Sequence, residues 1–433
     1  MTDPGALVRR RTHTALRTEL RRGIAPWTGL AVALTLLVPL WSKAPQWQGS
    51  WGETQSQLHS ATALLGGPLV AAAACWQGGR EYRRRTAELL LSVPRGRLAQ
   101  ATTAAAPIAL WAAAGYLLTL GGAFAATAPY TGAGGPSFSI AVTDLGWLLS
   151  IAFVGFVVGR LVRWRLIAPV LAAVLYVLLG APSYMESEVR FLSPAEQYPL
   201  DGYVPVRWFA PVLLAWTGGI AVTALLAYAA RRRGLAVVPL AVAVTAGAVI
   251  VHTGTGLFRD DPAVRHRVCS AAAPGTPQLC VRAPDAQLLP RMSEALSGVF
   301  SRLAEVPGAP ARYVDTESGP KDGEAGLSLA TRGWGITRDK LTDPQLFVSD
   351  TVLGLTWRDC SADAHWSERE GADRVMRTDD TVADWLAGEH STWRPDKRYL
   401  TRLKAMPDTD RKAWLGRYLA TLKSCTPSEV PAL

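Results

Sequence analysis

The chain has 433 residues, 49% of them hydrophobic, and a formal net charge of +10. Residues 259–433 contain 24 basic and 25 acidic side chains, so the positive excess belongs to the first 258 residues. A basic excess placed among long apolar stretches is explained by membrane topology and anionic lipid, and we therefore expect membrane lipid and no nucleic acid as a partner.

Seven stretches of the first 258 residues contain no Asp, Glu, Lys or Arg. A helix that crosses a bilayer needs roughly 20 mainly apolar residues, and most of these stretches supply them. We predict apolar cores at residues 24–41, 61–76, 104–128, 145–159, 166–181, 208–230 and 235–251. The core at 145–159 is the shortest, and it can be extended through Arg160 if that side chain reaches the interface. Tryptophans near the ends of these segments fit the membrane–water boundary.

The cores contain no acidic side chain, lysine or arginine. Ion-coupled transport and intramembrane catalysis need ionisable groups at depth, so both are disfavoured. Gly155 and Gly159 form a pair of small residues suited to close helix contact.

Arginine is distributed unevenly among the connections. Eighteen arginines lie in the amino-terminal segment and in the connections after spans two, four and six, whereas the opposite connections hold only Lys43, Arg190 and Arg207. Positively charged connections stay in the cytoplasm, which predicts a multi-pass protein of the plasma membrane with a cytoplasmic amino terminus and an extracytoplasmic carboxyl terminus. Residues 7–22 are predicted either to form an amphipathic interfacial helix or to be a basic flank that fixes topology.

Four of the five cysteines, Cys269, Cys280, Cys360 and Cys425, lie in the region predicted to face the oxidising side. Four cysteines allow three pairings. Cys269 and Cys280 flank a turn-rich segment, which favours local pairing and leaves Cys360 for Cys425. A metal site is disfavoured because the sequence has no Cys-x-x-Cys and no histidine at ligand spacing.

Residues 259–433 are predicted to form an α+β domain. Strands are expected at 264–270, 279–283 and 311–314, and helices at 285–306, 344–355, 372–386 and 407–424, with an irregular glycine-rich stretch up to Gly335. His365 with Glu368, and His390 with Glu389, match no catalytic motif and are interpreted as surface residues. The predicted regions are thus a basic elbow (1–23), a transmembrane domain (24–258) and an extracytoplasmic domain (259–433).

The connection after span two contains acidic, leucine and proline residues at characteristic positions. These are Glu81, Thr86, Glu88, Leu89, Leu90, Leu91 and Pro94. Thr86 can cap a short helix whose first turn holds Glu88, and Pro94 would end it. The three leucines would be costly to leave in water, so a partner or the membrane interface is expected to cover them.

This segment resembles the loop after the second span of ABC-2 type permeases of ABC transporters. That loop often reads Glu, three residues, Gly-Thr, one residue, Glu-Leu-Leu, and then proline and basic residues; here Arg85 replaces the usual glycine. The resemblance covers the elbow, spans one to six and this loop. The seventh span and the carboxyl-terminal domain depart from the family's usual six spans.

The resemblance implies that the loop docks as a coupling helix on a separate ATP-hydrolysing subunit and that two permease subunits form a dimer. The chain itself is expected to be no enzyme and to need no cofactor, because it contains no Gly-x-x-x-x-Gly-Lys-Ser/Thr phosphate loop. The alternative is a non-transporting membrane sensor or scaffold whose outer domain binds a ligand. A membrane-anchored enzyme is a third, less favoured reading.

Overall fold

The structure, a computed structural model, describes residues 18, 20–21, 23–84, 96–273, 275–315, 320–327, 335–360, 365–391 and 396–433. The predicted amphipathic segment 7–22 therefore falls almost wholly outside the described residues. The chain divides into two compact units. The first comprises residues 1–44, 50–129 and 135–261, and the second comprises residues 45–49, 130–134 and 262–433.

In the described part of the chain, seven helices are long and apolar enough to cross a membrane. In chain order, spans one to seven are Ala25–Ser42, Trp51–Gly78, Arg97–Tyr130, Phe138–Leu161, Ile167–Tyr184, Phe209–Ala229 and Arg233–Leu257. Each contains most of one predicted core, which confirms the predicted number and order of apolar helices. Spans two and four are 67% and 61% buried, compared with 11% for span five, so spans two and four form the centre of the bundle.

Span two is longer than its predicted core. Ser50 accepts a hydrogen bond from the Glu53 backbone N–H and so caps the first helical segment, Trp51–Ala61. The helix then passes through a π-helical turn, Thr62–Gly66, before it continues as Gly67–Gly78. Span four begins at Phe138, seven residues before the predicted start of its core. At 24 residues, span four is longer than its predicted core and includes Arg160 in its last turn.

Glycines allow spans two and four to pack backbone against backbone. A Cβ atom added at Gly155 would lie 2.4 Å from the Ala71 carbonyl oxygen, and one at Gly159 would lie 2.0 Å from the Cys75 carbonyl oxygen. Neither space can hold a methyl group without displacing backbone. The predicted close contact at Gly155 and Gly159 is confirmed, and its partner is span two.

Next to the spans, the first unit contains a small aromatic core. Two short strands, β1 (Tyr203–Pro205) and β2 (Phe258–Asp260), pair antiparallel. Tyr198, Phe209 and Phe258 pack with ring centroids 5.0 to 5.5 Å apart. These contacts order the connection between spans five and six.

The second unit is built on a four-stranded sheet. Its strands are β3 (Arg267–Cys269), β4 (Gln278–Arg282), β5 (Arg312–Asp315) and β6 (Glu324–Leu327). They lie in the order β3-β4-β5-β6, with β3 antiparallel to β4 and the other pairs parallel. A separate antiparallel pair joins β7 (Ile336–Thr337) to β8 (Lys340–Leu341).

The described part of this unit also contains five α-helices of nine or more residues. They are α1 (Leu289–Leu303), α2 (Pro344–Thr356), α3 (Ala372–Ala387), α4 (Lys397–Ala405) and α5 (Asp408–Ala420). The apolar face predicted for the first helix is buried, and Met292, Leu296 and Val299 belong to the core of the unit. The prediction missed β6 within the glycine-rich stretch, the β7–β8 pair and α4. It also began the first strand at residue 264, where the structure has the short helix Pro262–Arg265 before β3.

Two disulfides join the cysteines of the second unit. Cys269 pairs with Cys280, where the two residues face each other across β3 and β4. Cys360 pairs with Cys425 and ties the end of the chain to the residues after α2. This is the predicted pairing, and Cys75 in span two is the remaining, buried free cysteine.

Candidate functional site

Most of the predicted ATPase-coupling residues lie outside the described part of the chain. Thr86, Glu88, Leu89, Leu90, Leu91 and Pro94 all fall within residues 85–95. Glu81 is described, and it lies on the short helix Arg80–Arg83 that directly follows span two. The structure therefore locates the start of the predicted coupling segment.

Glu81 forms a two-pronged ion pair with Arg160. Both terminal nitrogens of the Arg160 guanidinium donate to the two carboxylate oxygens of Glu81. Arg160 lies in the last turn of span four, and the two side chains are only 13% and 22% exposed. Two parallel charge-assisted hydrogen bonds fix both distance and orientation, so the ion pair fastens the end of span two to the end of span four.

A cavity of about 570 Å³ lies beside this ion pair. Its wall combines the ends of spans two, four and six, the start of span three and the connection from span four to span five. Four arginines besides Arg160 line it: Arg83, Arg97, Arg163 and Arg165. Glu81 is the carboxylate among the described lining residues, and Arg160 already neutralises it. The cavity is therefore strongly basic.

A second polar site lies inside the bundle, so the expectation that the spans hold no ionisable group at depth was wrong. His59 of span two and Asp144 of span four are 2% and 3% exposed, and their Nδ1 and Oδ1 atoms are 2.5 Å apart. Tyr116 of span three donates its hydroxyl to the other carboxylate oxygen of Asp144 at 3.2 Å. Three spans thus meet at one carboxylate.

The hydrogen-bond partners of His59 determine how many protons this group holds. Its Nε2 atom is 3.1 Å from the backbone carbonyl oxygen of Glu196, which can only accept. Nε2 must therefore carry a proton, and a second proton must lie between Nδ1 and the Asp144 carboxylate. The pair is neutral as a whole wherever the shared proton lies, because an imidazolium with a carboxylate and an imidazole with a carboxylic acid both have a net charge of zero.

The bond from His59 to Glu196 attaches the connection between spans five and six to the bundle. The ring of Tyr198 stacks on the His59 ring with centroids 4.5 Å apart. The Glu196 carboxylate is buried beside Arg190, with 3.6 Å between Arg190 Nε and Glu196 Oε1. Burial raises the pKa of Glu196 above its ordinary value, although Arg190 opposes this shift.

Of the two predicted histidine pairs in the second unit, His365 with Glu368 lies at the surface, whereas His390 is half-buried. His365 and Glu368 are 3.2 Å apart with side chains 79% and 76% exposed, and His390 Nε2 is 4.0 Å from the Glu389 carboxylate. Among the described residues, no group of three or more His, Cys, Asp or Glu side chains could hold a metal ion. The interpretation as surface residues agrees with the positions of His365, Glu368 and Glu389, but His390 is only 34% exposed.

Comparisons with protein-family models, with curated proteins and with solved structures found no match. The chemistry of the chain must therefore be argued from its own residues. Those residues form two sites in the first unit: the basic cavity beside Glu81 and Arg160, and the buried group of His59, Asp144 and Tyr116.

Proposed function

We propose that the chain is the membrane-spanning permease subunit of an ATP-driven transporter and that it couples to a separate ATPase subunit. The proposal rests on the segment that begins at Glu81 and runs through Leu89, Leu90 and Pro94, which carries the ABC-2 pattern. A second copy of the permease and the ATPase would complete the transporter.

The contacts of Glu81 give this proposal a physical basis. The residues that follow Glu81 are joined through it to Arg160 of span four, by a bidentate ion pair. Directly beyond this point the backbones of spans two and four touch at Gly155 and Gly159. A force applied to residues 85–95 by a docked ATPase would therefore reach two central spans together instead of bending one of them.

The direction of the chain in the membrane is part of the proposal. The arginine-rich connections are assigned to the cytoplasm, where an ATPase has access to ATP, and the second unit to the opposite side. Two disulfides in the second unit are compatible with an oxidising compartment. Reporter fusions after Tyr203 and Leu433 should be active only outside the cytoplasm, and a cytoplasmic signal at Leu433 would contradict the assigned orientation.

Coupling is tested by placing charge on the apolar residues of the segment. Leu89→Asp combined with Leu90→Asp should abolish capture of the ATPase in pull-downs, because each buried leucine contributes about 1.5 to 3 kcal/mol and a buried unpaired carboxylate costs more. Arg231→Asp, in the connection after span six, changes the net charge by the same amount and serves as the control. It should retain the ATPase.

Either of two results would contradict the proposal. The doubly substituted chain could retain an active ATPase, or the wild-type chain could capture none. In the second case the sensor or scaffold interpretation would take its place.

A further inference from the structure

The basic cavity beside Glu81 and Arg160 has a charge that the described residues do not balance. Arg97, Arg163 and Arg165 line it, and none of them forms an ion pair with a described carboxylate. Arg83 donates to the Trp76 backbone carbonyl and stacks on its ring, and it too forms no ion pair with a described carboxylate. Four positive charges therefore converge on a space of about 570 Å³.

Two of these arginines are held by aromatic rings. The Arg83 guanidinium carbon is 3.9 Å from the centre of the Trp76 ring, and that of Arg163 is 5.6 Å from the centre of the Tyr82 ring. Stacking orients a guanidinium while leaving its edge N–H groups available to a ligand. The planar forks of arginine match the oxygens of a phosphate group.

The surroundings of the cavity favour a phosphate that belongs to a lipid. Exposed apolar side chains flank Arg163 and Arg165: Leu161, at the end of span four, is 64% exposed, and Leu166, just before span five, is 56% exposed. Trp164 lies between them, is 53% exposed and lines the cavity. An indole beside arginines and exposed leucines is the composition expected at the level of lipid headgroups.

We propose that this cavity binds the headgroup phosphate of an anionic phospholipid, with the acyl chains lying along Leu161 and Leu166. Basic pockets between the ends of membrane spans are suited to such headgroups. The bound lipid would neutralise arginines at the point where spans two and four are tied together. The proposal does not depend on the transport function, since it follows from the charge and position of the cavity alone.

The experiment uses the full chain purified in a zwitterionic detergent. Native mass spectrometry measures binding of dioleoylphosphatidylglycerol, with zwitterionic dioleoylphosphatidylcholine, whose net charge is zero, as the comparison. Arg163→Gln combined with Arg165→Gln should weaken binding of the anionic lipid about thirty-fold, at the usual contribution of an arginine near an anionic lipid surface. Arg163→Lys combined with Arg165→Lys should lose less, because the charge remains.

The matched control is Arg231→Gln combined with Arg232→Gln. It removes the same charge from another arginine-rich connection, and neither residue lines the cavity. The control should bind the anionic lipid as the wild type does. Equal loss in both double variants would overturn the proposal, because binding would then depend on overall charge.

Two further outcomes are decisive. If excess inorganic phosphate displaces the lipid completely, the site takes a free phosphate and the lipid assignment is wrong. If Arg163→Gln with Arg165→Gln keeps the lipid but loses a protein partner, the arginines form a protein interface instead. Because Arg163 and Arg165 are exposed, their Gln and Lys double variants should keep the thermal unfolding temperature of the wild type. Thermal unfolding of these variants is measured in parallel.

Discussion

Replacing Asp144 with leucine would remove the carboxylate on which spans two, three and four meet. In the native bundle this carboxylate bonds His59 at 2.5 Å and accepts the Tyr116 hydroxyl at 3.2 Å. Without it, the Nδ1 side of a fully buried histidine and the hydroxyl of a fully buried tyrosine lose their partners. The Glu196 carbonyl would still require a proton on Nε2.

The expected cost follows from these lost partners. Removing one member of a buried ion pair typically destabilises a protein by about 3 to 5 kcal/mol, and His59→Leu should cost a similar amount because it strands the carboxylate. The double variant removes both members, so the penalty for a stranded group is largely absent. The loss of unfolding free energy in the double variant should be smaller than the sum of the two single losses, by about 2 kcal/mol or more.

The wild type, the two single variants and the double variant can be compared by unfolding in mixed micelles with increasing sodium dodecyl sulfate. Tryptophan fluorescence monitors the unfolding. Glu186→Leu, at an exposed carboxylate between spans five and six, is the control and should have little effect. If the two single changes add to within about 0.5 kcal/mol, His59 and Asp144 do not act as a pair and the described geometry is wrong.

Three further outcomes are expected. Gly159→Ala should destabilise the bundle strongly, since its methyl group would lie 2.0 Å from the Cys75 carbonyl oxygen. Gly122→Ala is the control and should not, because a Cβ atom there would have nothing within 4 Å. Unfolding in detergent compares the two variants, and equal effects would contradict the close packing. Removing the Cys360–Cys425 disulfide should expose the second unit to proteolysis more than removing the Cys269–Cys280 disulfide does. The first disulfide joins residues 65 positions apart in the sequence and the second joins residues 11 apart, and the longer loop gains more from closure. The opposite ranking would contradict this expectation. Burial raises the pKa of Glu196, so the native state binds the Glu196 proton more tightly than the unfolded state does. The stability that the protonated carboxyl contributes is therefore lost as the pH rises from the ordinary carboxyl pKa through the raised one. Glu196→Gln should flatten the pH dependence of unfolding in that range, and an unchanged slope would count against it.

Apolar length was sufficient to predict the membrane part of the fold. Seven uncharged stretches gave the number and order of the spans, because a helix of that length and composition has few other stable environments. In the second unit, the three- and four-residue spacing of Met292, Leu296 and Val299 gave the first helix in the same way. The small strands were harder, and β6 was missed because its sequence Glu-Ala-Gly-Leu shows little strand propensity.

The buried polar group was missed for a related reason. The predicted cores began at residues 61 and 145, just after His59 and Asp144, and so contained neither side chain. The helices begin at Trp51 and Phe138, so both side chains lie inside the bundle. A histidine before the apolar stretch of span two and an aspartate before that of span four were the available signal, but which residues meet depends on packing between spans.

The most direct test of the proposed function is to isolate the tagged chain from its native membrane and assay the preparation for ATP hydrolysis. We expect a second subunit that carries a Gly-x-x-x-x-Gly-Lys-Ser/Thr phosphate loop, together with hydrolysis that orthovanadate inhibits. A preparation that contains the chain without such a subunit and without hydrolysis would contradict the assignment of this protein as a transporter permease.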